Sequence, residues 1–389
     1  MSKVVILGSS PVAVKLIDQL RKKNYAGDIS LILFDGFLPY ERQFLSHQKN
    51  IEQAEWPAIQ PAEFFESQKV NVFFDQEISR INTSRKKIFT ENKNQLDYDW
   101  LIITEMPKNK FPDIKGITKT GLFNARKKKA VATVIEKFSF AENITIVSDD
   151  LMGFDLACYF SQKRSDVLLV QSDQGFLNRV FSDEVSDWFF AQLLHQRIKV
   201  ETANPINEIL GDAEIKAVRL DSGKVYATDL VLFDGQPEDL RLFYDSAMEM
   251  HDQIIVNEML QTGEDGVFAV DPVGMIRGHL KFSQNQQAEL MTEQIIAKEN
   301  NSSFEPSELG AEVMLIHDHF DLGELTIDCI GELLTRPQVE TKEYFDKDKN
   351  EFKKMFILEG IIVGCVLVNL RKEFDKYLNF IGKDVNVTL

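Results

Sequence analysis

The chain has 389 residues, too many for one ordinary domain and enough for two or three with sizeable cores. A hydrophobic share of 44% beside 27% charged residues places it with ordinary soluble globular proteins, away from disordered and membrane ones. The formal net charge of -17 repels phosphate backbones and anionic lipid, which excludes nucleic acid and membrane surfaces as partners and leaves a basic protein partner compatible.

In chain order, the apolar run Lys3 to Leu7 leads into the small-residue turn Gly8-Ser9-Ser10 and then the helical spacing of Val12, Leu16, Ile17 and Leu20. A second apolar run, Ile29 to Phe34, ends at Asp35, so the opening segment reads as one βαβ unit. Val70 to Ile81 and Lys87 to Thr104 read as short strands. The βαβ pattern returns with Ile144 to Val147, the turn Ser148-Asp149-Asp150, a helix from about Leu151 and a strand at Val167 to Val170. Further strands are expected at Ile198 to Val200, Ala217 to Leu220 and Leu230 to Phe233. The polar stretch Lys298 to Pro306 has linker composition, so a third domain begins near residue 307. Within it, Glu312 to Ile316 and Lys354 to Val368 read as β-rich, the latter as a hairpin turning at Glu359-Gly360, and Arg371 to Ile381 as a closing helix.

Other features carry structural readings. Arg126 to Lys129 reads as a solvated helix start rather than an anion site. Cys158, Cys329 and Cys365 lie too far apart for a redox CxxC pair, and Cys158 reads as core. Their use, and an N-terminus without the order of a signal peptide, point to the cytoplasm. His317-Asp318-His319 has a spacing that suits metal only on a strand, lacks an identifiable third ligand, and reads as a surface loop; no metal is expected. Phe374, Tyr377 and Phe380 stand at helical spacing and suit either core packing or an interface stripe.

Several segments, in order, resemble the FAD-dependent pyridine nucleotide-disulfide reductases, in their ferredoxin, rubredoxin and nitrite reductase branch. The segment Leu38-Pro39-Tyr40-Glu41-Arg42-Gln43-Phe44-Leu45-Ser46-His47 resembles that branch's PY-x-R-x-x-LSK loop, Tyr98 to Met106 its YD-x-LIIATG, and Ile144 to Ala157 its second glycine fingerprint. Asp229-Leu230-Val231 with Gly235 and Pro237, and the run Ile255 to Ala269, resemble the return towards the flavin-contacting aspartate. The resemblance implies an α/β fold with two Rossmann-like domains, for FAD and NAD(P), the second inserted in the first, and a small α+β C-terminal domain. The boundaries expected are 1–112 and 246–300 for the FAD-like domain, 113–245 for the NAD(P)-like domain and 307–389 for the third, which in that family packs at subunit or partner contacts.

Glycine at such turns lets backbone amides approach a pyrophosphate at a helix N-terminus. The resemblance assigns FAD contacts, if FAD is bound, to Gly8, Ser10, Pro11, Ala13, Asp35, Arg42, His47 and Asp271. Gly8 and Ala13 keep their fingerprint places, whereas Ser10 replaces the middle glycine. Asp35 suits the adenosine ribose or a strand-end turn beside Gly36; His47 replaces a lysine; Pro272 replaces the ribityl-binding aspartate, with Asp271 either a substitute or a solvated turn residue. Thr104-Glu105-Met106 stands where ATG is expected and obstructs close backbone approach. In the second fingerprint Ser148 and Asp150 replace glycines, only Gly153 remains, and Gln171 replaces the acidic ribose acceptor. Asp150 would repel a pyrophosphate, so NAD(P) binding is not expected.

Two functions follow as expectations. One is a non-catalytic scaffold or partner-binding subunit, associating with a protein partner or with copies of itself through the C-terminal domain. The other is an FAD-dependent oxidoreductase without a redox-active disulfide, passing electrons between flavin and a redox protein.

Overall fold

The computed structural model describes residues 2–40, 45, 56–92, 94–137, 140–171, 175–235, 237–270, 272–276, 282–302, 317–322, 325–331, 333 and 338–388. The chain divides into two compact units: Met1–Arg42, Trp56–Phe111 and Gln236–Gly310 form one, and Gln43–Glu55, Pro112–Gly235 and Ala311–Leu389 the other.

The first unit is built on a five-stranded parallel sheet in the order Val267–Ala269, Trp100–Ile103, Lys3–Leu7, Asp28–Ile32, Val70–Phe73. Strands covered on both faces need continuous apolar runs, and Val4 to Leu7 and Leu101 to Ile103 are all buried. Each such aliphatic side chain stabilises the fold by about 1.5–3 kcal/mol. The helix Pro11–Lys22 crosses between the first two strands; it starts at Ser10, whose side chain caps it, with proline in its first turn, and ends on Arg21 and Lys22. Its stripe Val12, Leu16, Ile17 and Leu20 faces the sheet core. A three-stranded antiparallel sheet, Ile78–Asn82, Lys87–Thr90 and Gln95–Asp97, and the helix Gln284–Glu299 with its Ser283/Gln286 capping box also belong to the unit.

The second unit repeats the plan with the parallel order Ile198–Glu201, Asp166–Val170, Asn143–Val147, Leu230–Phe233, Leu122–Asn124. Its helix Leu151–Gln162 is apolar nearly all round and buried from Gly153 to Phe160, Cys158 included. An antiparallel C-terminal sheet follows, in the order His317–Leu322, Leu325–Gly331, Ile361–Val368, Glu351–Leu358, Val339–Asp346. Trp188 and Phe181 pack edge-on against Phe345 and Phe352, tying this sheet to the helix Asp183–His195. The fold is thus α/β, with two parallel Rossmann-like sheets and a C-terminal antiparallel sheet domain.

The hairpin turns at Glu359-Gly360 as expected, both residues having positive φ. Other expectations need correction. His317 to His319 lies on a strand, not in a loop, because its backbone pairs with Ile330 to Asp328; the side chains there lie outside what is described. Arg371 to Ile381 is not one helix but a 3₁₀ turn, Arg371–Glu373, followed by the short helix Phe374–Leu378. Tyr377 is buried, and Phe374 and Phe380 pack with it in the core under the sheet, so these three do not form an exposed stripe. Lys298 and Glu299 belong to a helix, whereas 303–316 lies outside the described residues. Among the described residues no helix is long and apolar enough to cross a membrane.

Candidate functional site

Gly8 ends the first strand with φ +104°, a backbone that a residue with a Cβ adopts only under strain. Its N–H is held by the Ile32 carbonyl at 2.9 Å, so the turn is anchored on the second strand. The next residues form the loop where a dinucleotide fold presents its donors to a pyrophosphate. Here the Ser9, Val12 and Ala13 N–H groups have protein partners. The Ser9 N–H and hydroxyl both donate to Glu105 Oε2, at 3.0 and 2.7 Å. The Val12 N–H donates to the Ser10 hydroxyl at 3.1 Å and the Ala13 N–H to the Ser10 carbonyl at 3.0 Å, while Pro11 has no N–H to give.

Glu105 reaches the turn because the segment after the strand Trp100–Ile103 is fixed on both sides of it. Thr104 donates through its N–H and its hydroxyl to the Leu7 carbonyl, at 3.0 and 2.8 Å. The Met106 N–H donates to Glu238 Oε2 at 3.2 Å, and the Met106 side chain is fully buried. A Cβ built on Gly8 would lie 2.3 Å from the Glu105 Cβ. The retained glycine is therefore the surface on which Glu105 packs.

Of the remaining residues read as FAD contacts, Asp35 is buried at the end of the second strand, where its Oδ1 accepts from the Phe37 N–H at 3.1 Å in an Asx turn. Arg42, His47 and Asp271 lie outside the described residues. Pro272 is described, and its carbonyl accepts from Gln253 Nε2 at 2.7 Å.

The second turn is arranged alike. Asp150 is the N-cap of the helix Leu151–Gln162, accepting from the Met152 N–H at 3.0 Å. The Ser148 hydroxyl lies 3.1 Å from Asp150 Oδ1 and 3.3 Å from Asp234 Oδ2. Gly153 makes room for this serine: a Cβ there would sit 2.4 Å from the Ser148 Cβ. Arg126 Nε stands 3.4 Å from Asp234 Oδ1, whose side chain is inaccessible, so the first residue of the basic run pairs with a buried carboxylate, while a helix starts within the run at Lys128 as expected. Gln171 is fully buried, and its side-chain amide has no hydrogen-bond partner among the described residues.

Residues 2–287 match the family model for pyridine nucleotide-disulphide oxidoreductases. The chain belongs to that family. The chain is 25% identical over 272 residues to apoptosis-inducing factor 3 of Homo sapiens, covering 69% of this chain and 45% of that protein. It is 22% identical over 275 residues to the benzene 1,2-dioxygenase system ferredoxin--NAD(+) reductase subunit of Pseudomonas putida, covering 69% of this chain and 66% of that one. The chain thus spans less than half the length of the first of these relatives and about two thirds of the second. A solved structure with the same fold is the covalent putidaredoxin reductase-putidaredoxin complex, with a TM-score of 0.80, 15% identity, and coverage of 100% of this chain and 95% of that one. The family is one of FAD-dependent, NAD(H)-linked oxidoreductases that includes ferredoxin and rubredoxin reductases.

Within this family member the cysteines are buried and outside any disulfide, and burial pushes the Cys365 thiol far up, which keeps it protonated and unreactive. Sequence reasoning identified Glu105 as an obstruction but missed its partner Ser9. It also missed the buried Asp155, whose Oδ2 accepts from the Leu45 N–H at 2.8 Å, and Glu238 beneath Met106. The only local signal for any of these was a carboxylate where a small residue is expected.

Proposed function

We propose that this chain is a dinucleotide-free member of the reductase family that works by binding a protein partner rather than by moving electrons. The observation that carries the reading is the pair of hydrogen bonds from Ser9 to Glu105 inside the first dinucleotide turn. A pyrophosphate entering there meets an anion already in contact with the donors it needs, in a partly desolvated cleft where like charges repel strongly. At the second turn Asp150 caps the helix, so a carboxylate already accepts from the Met152 N–H there. The groups present at the two turns do not fit a dinucleotide pyrophosphate. The three-domain division at 113–245 and 307–389 belongs to the same reading, as does a partner of positive charge complementary to a net charge of -17.

A second reading, an FAD-dependent reductase serving a redox protein, draws on Gly8 and Ala13 in their fingerprint places, on Asp35, and on relatives named for ferredoxin and rubredoxin reduction. One spectrum separates the two. Protein purified natively and untagged is expected to be colourless through the flavin bands, with no thermal shift on adding FAD or NADH. Stoichiometric flavin absorbance in that sample supports the second reading and overturns the first.

A further inference from the structure

We infer that Glu105 is an intramolecular occupant of the first dinucleotide turn, standing where a nucleotide's pyrophosphate would lie, and that removing its side chain opens the turn to an adenine nucleotide diphosphate. The inference rests on the dinucleotide-free reading and adds to it a removable main cause at that turn.

Three observations lead there. The Ser9 N–H and hydroxyl converge on one oxygen of Glu105, so an anion is held by the donor geometry that suits a phosphate oxygen. The Glu105 side chain emerges against the bare Cα of Gly8, so the space a Cβ would fill at Gly8 is occupied by the plug. The backbone on either side of the plug is fixed without it, by Thr104 on the Leu7 carbonyl and by the Met106 N–H on Glu238. Deleting the carboxylate therefore frees the Ser9 donors and the volume over Gly8 while leaving the segment where it is. Ser10 adds a second, weaker restraint, because its hydroxyl caps Val12 and can turn away by a χ1 rotation.

The test uses the full-length chain with ADP and FAD as probes, followed by calorimetry. Wild type is expected to bind ADP more weakly than about 1 mM. Glu105→Gly is expected to gain at least about tenfold, the scale of one released hydrogen bond to a charged acceptor. Glu105→Gln keeps an oxygen on Ser9 but loses the charge, and is expected to gain less than Glu105→Gly. If Glu105→Gly does not fold, as judged by circular dichroism, Glu105→Ser takes its place. An amide-resolved NMR measurement on wild type stands independent of both: the Ser9 amide proton is expected to ignore ADP. An unchanged ADP affinity in the folded variant, or a Ser9 amide that responds to ADP in wild type, overturns the occupant. Tight FAD binding by wild type instead overturns the dinucleotide-free reading itself.

Discussion

Replacing Gly8 by alanine probes the packing of Glu105 on the first turn. At φ +104° an L-residue carries about 1–2 kcal/mol of backbone strain. The new Cβ would lie 2.3 Å from the Glu105 Cβ and 2.9 Å from both the Glu105 nitrogen and Thr104 Oγ1. Carbon atoms rest at about 3.5–4.0 Å, so the Glu105 side chain has to withdraw by about 1 Å or more. That breaks its two bonds from Ser9, and hydrogen bonds to a charged group are worth about 1.5–3 kcal/mol each. With partial relaxation the total is about 3–5 kcal/mol. Urea unfolding read by tryptophan fluorescence suits the measurement, because Trp56 and Trp100 belong to the first unit and Trp188 to the second. In a Trp188→Phe background the midpoint is expected to fall by about 1–2 M for a slope of about 2–3 kcal/mol/M. In Glu105→Gly protein the same Gly8→Ala change keeps only the strain and the approach to backbone, so the two substitutions should couple by about 2 kcal/mol. Equal costs in the two backgrounds would refute the claim that Gly8 is the seat of Glu105.

Other outcomes follow from the same structure. Asp150→Ala removes the N-cap of the helix Leu151–Gln162 and should cost about 1 kcal/mol, read from Trp188 fluorescence, with an unchanged midpoint counting against the cap. Arg126→Met removes a charge partner of the buried Asp234 and should cost about 1–3 kcal/mol in the second unit, where a solvated arginine would cost almost nothing. Burial pushes the Glu201 carboxyl up, but hydrogen bonds from Tyr226, Lys224 and Asn204 outweigh it and hold the group below its ordinary 4.5. A depressed folded value means that its stabilisation is present above about pH 4.5 and is lost as pH falls through the lower folded value. Glu201→Gln should therefore flatten the acid limb of stability below about pH 5, and identical acid limbs would count against the network.

Much of the fold was legible because parallel strands covered on both faces are continuous apolar runs. Lys3 to Leu7 and Leu230 to Phe233 match their expected ranges for that reason, whereas Ala217 to Leu220 matches as an antiparallel strand of alternating burial. His317 to His319 was illegible as a strand because its polar side chains carry no alternation, and only pairing with Leu325–Gly331 makes it one. Phe374, Tyr377 and Phe380 have the same spacing whether they face a core or a partner, so their sheet-side packing could not be read. The turns themselves were readable as altered glycine sites. What closes them was not: Ser9 meets Glu105 across 96 positions and Arg126 meets Asp234 across 108, and no local pattern records such a meeting. Sequence periodicity constrains which face is buried, whereas polar pairing depends on where distant turns arrive.

The central claim, that the chain's own groups close both turns to dinucleotides, is tested most directly by titrating the purified wild-type protein with FAD and following the quenching of flavin fluorescence. The account predicts no saturable quenching up to about 100 μM FAD, since the anion already on Ser9 opposes the pyrophosphate. Stoichiometric quenching with a dissociation constant near or below about 1 μM would contradict it.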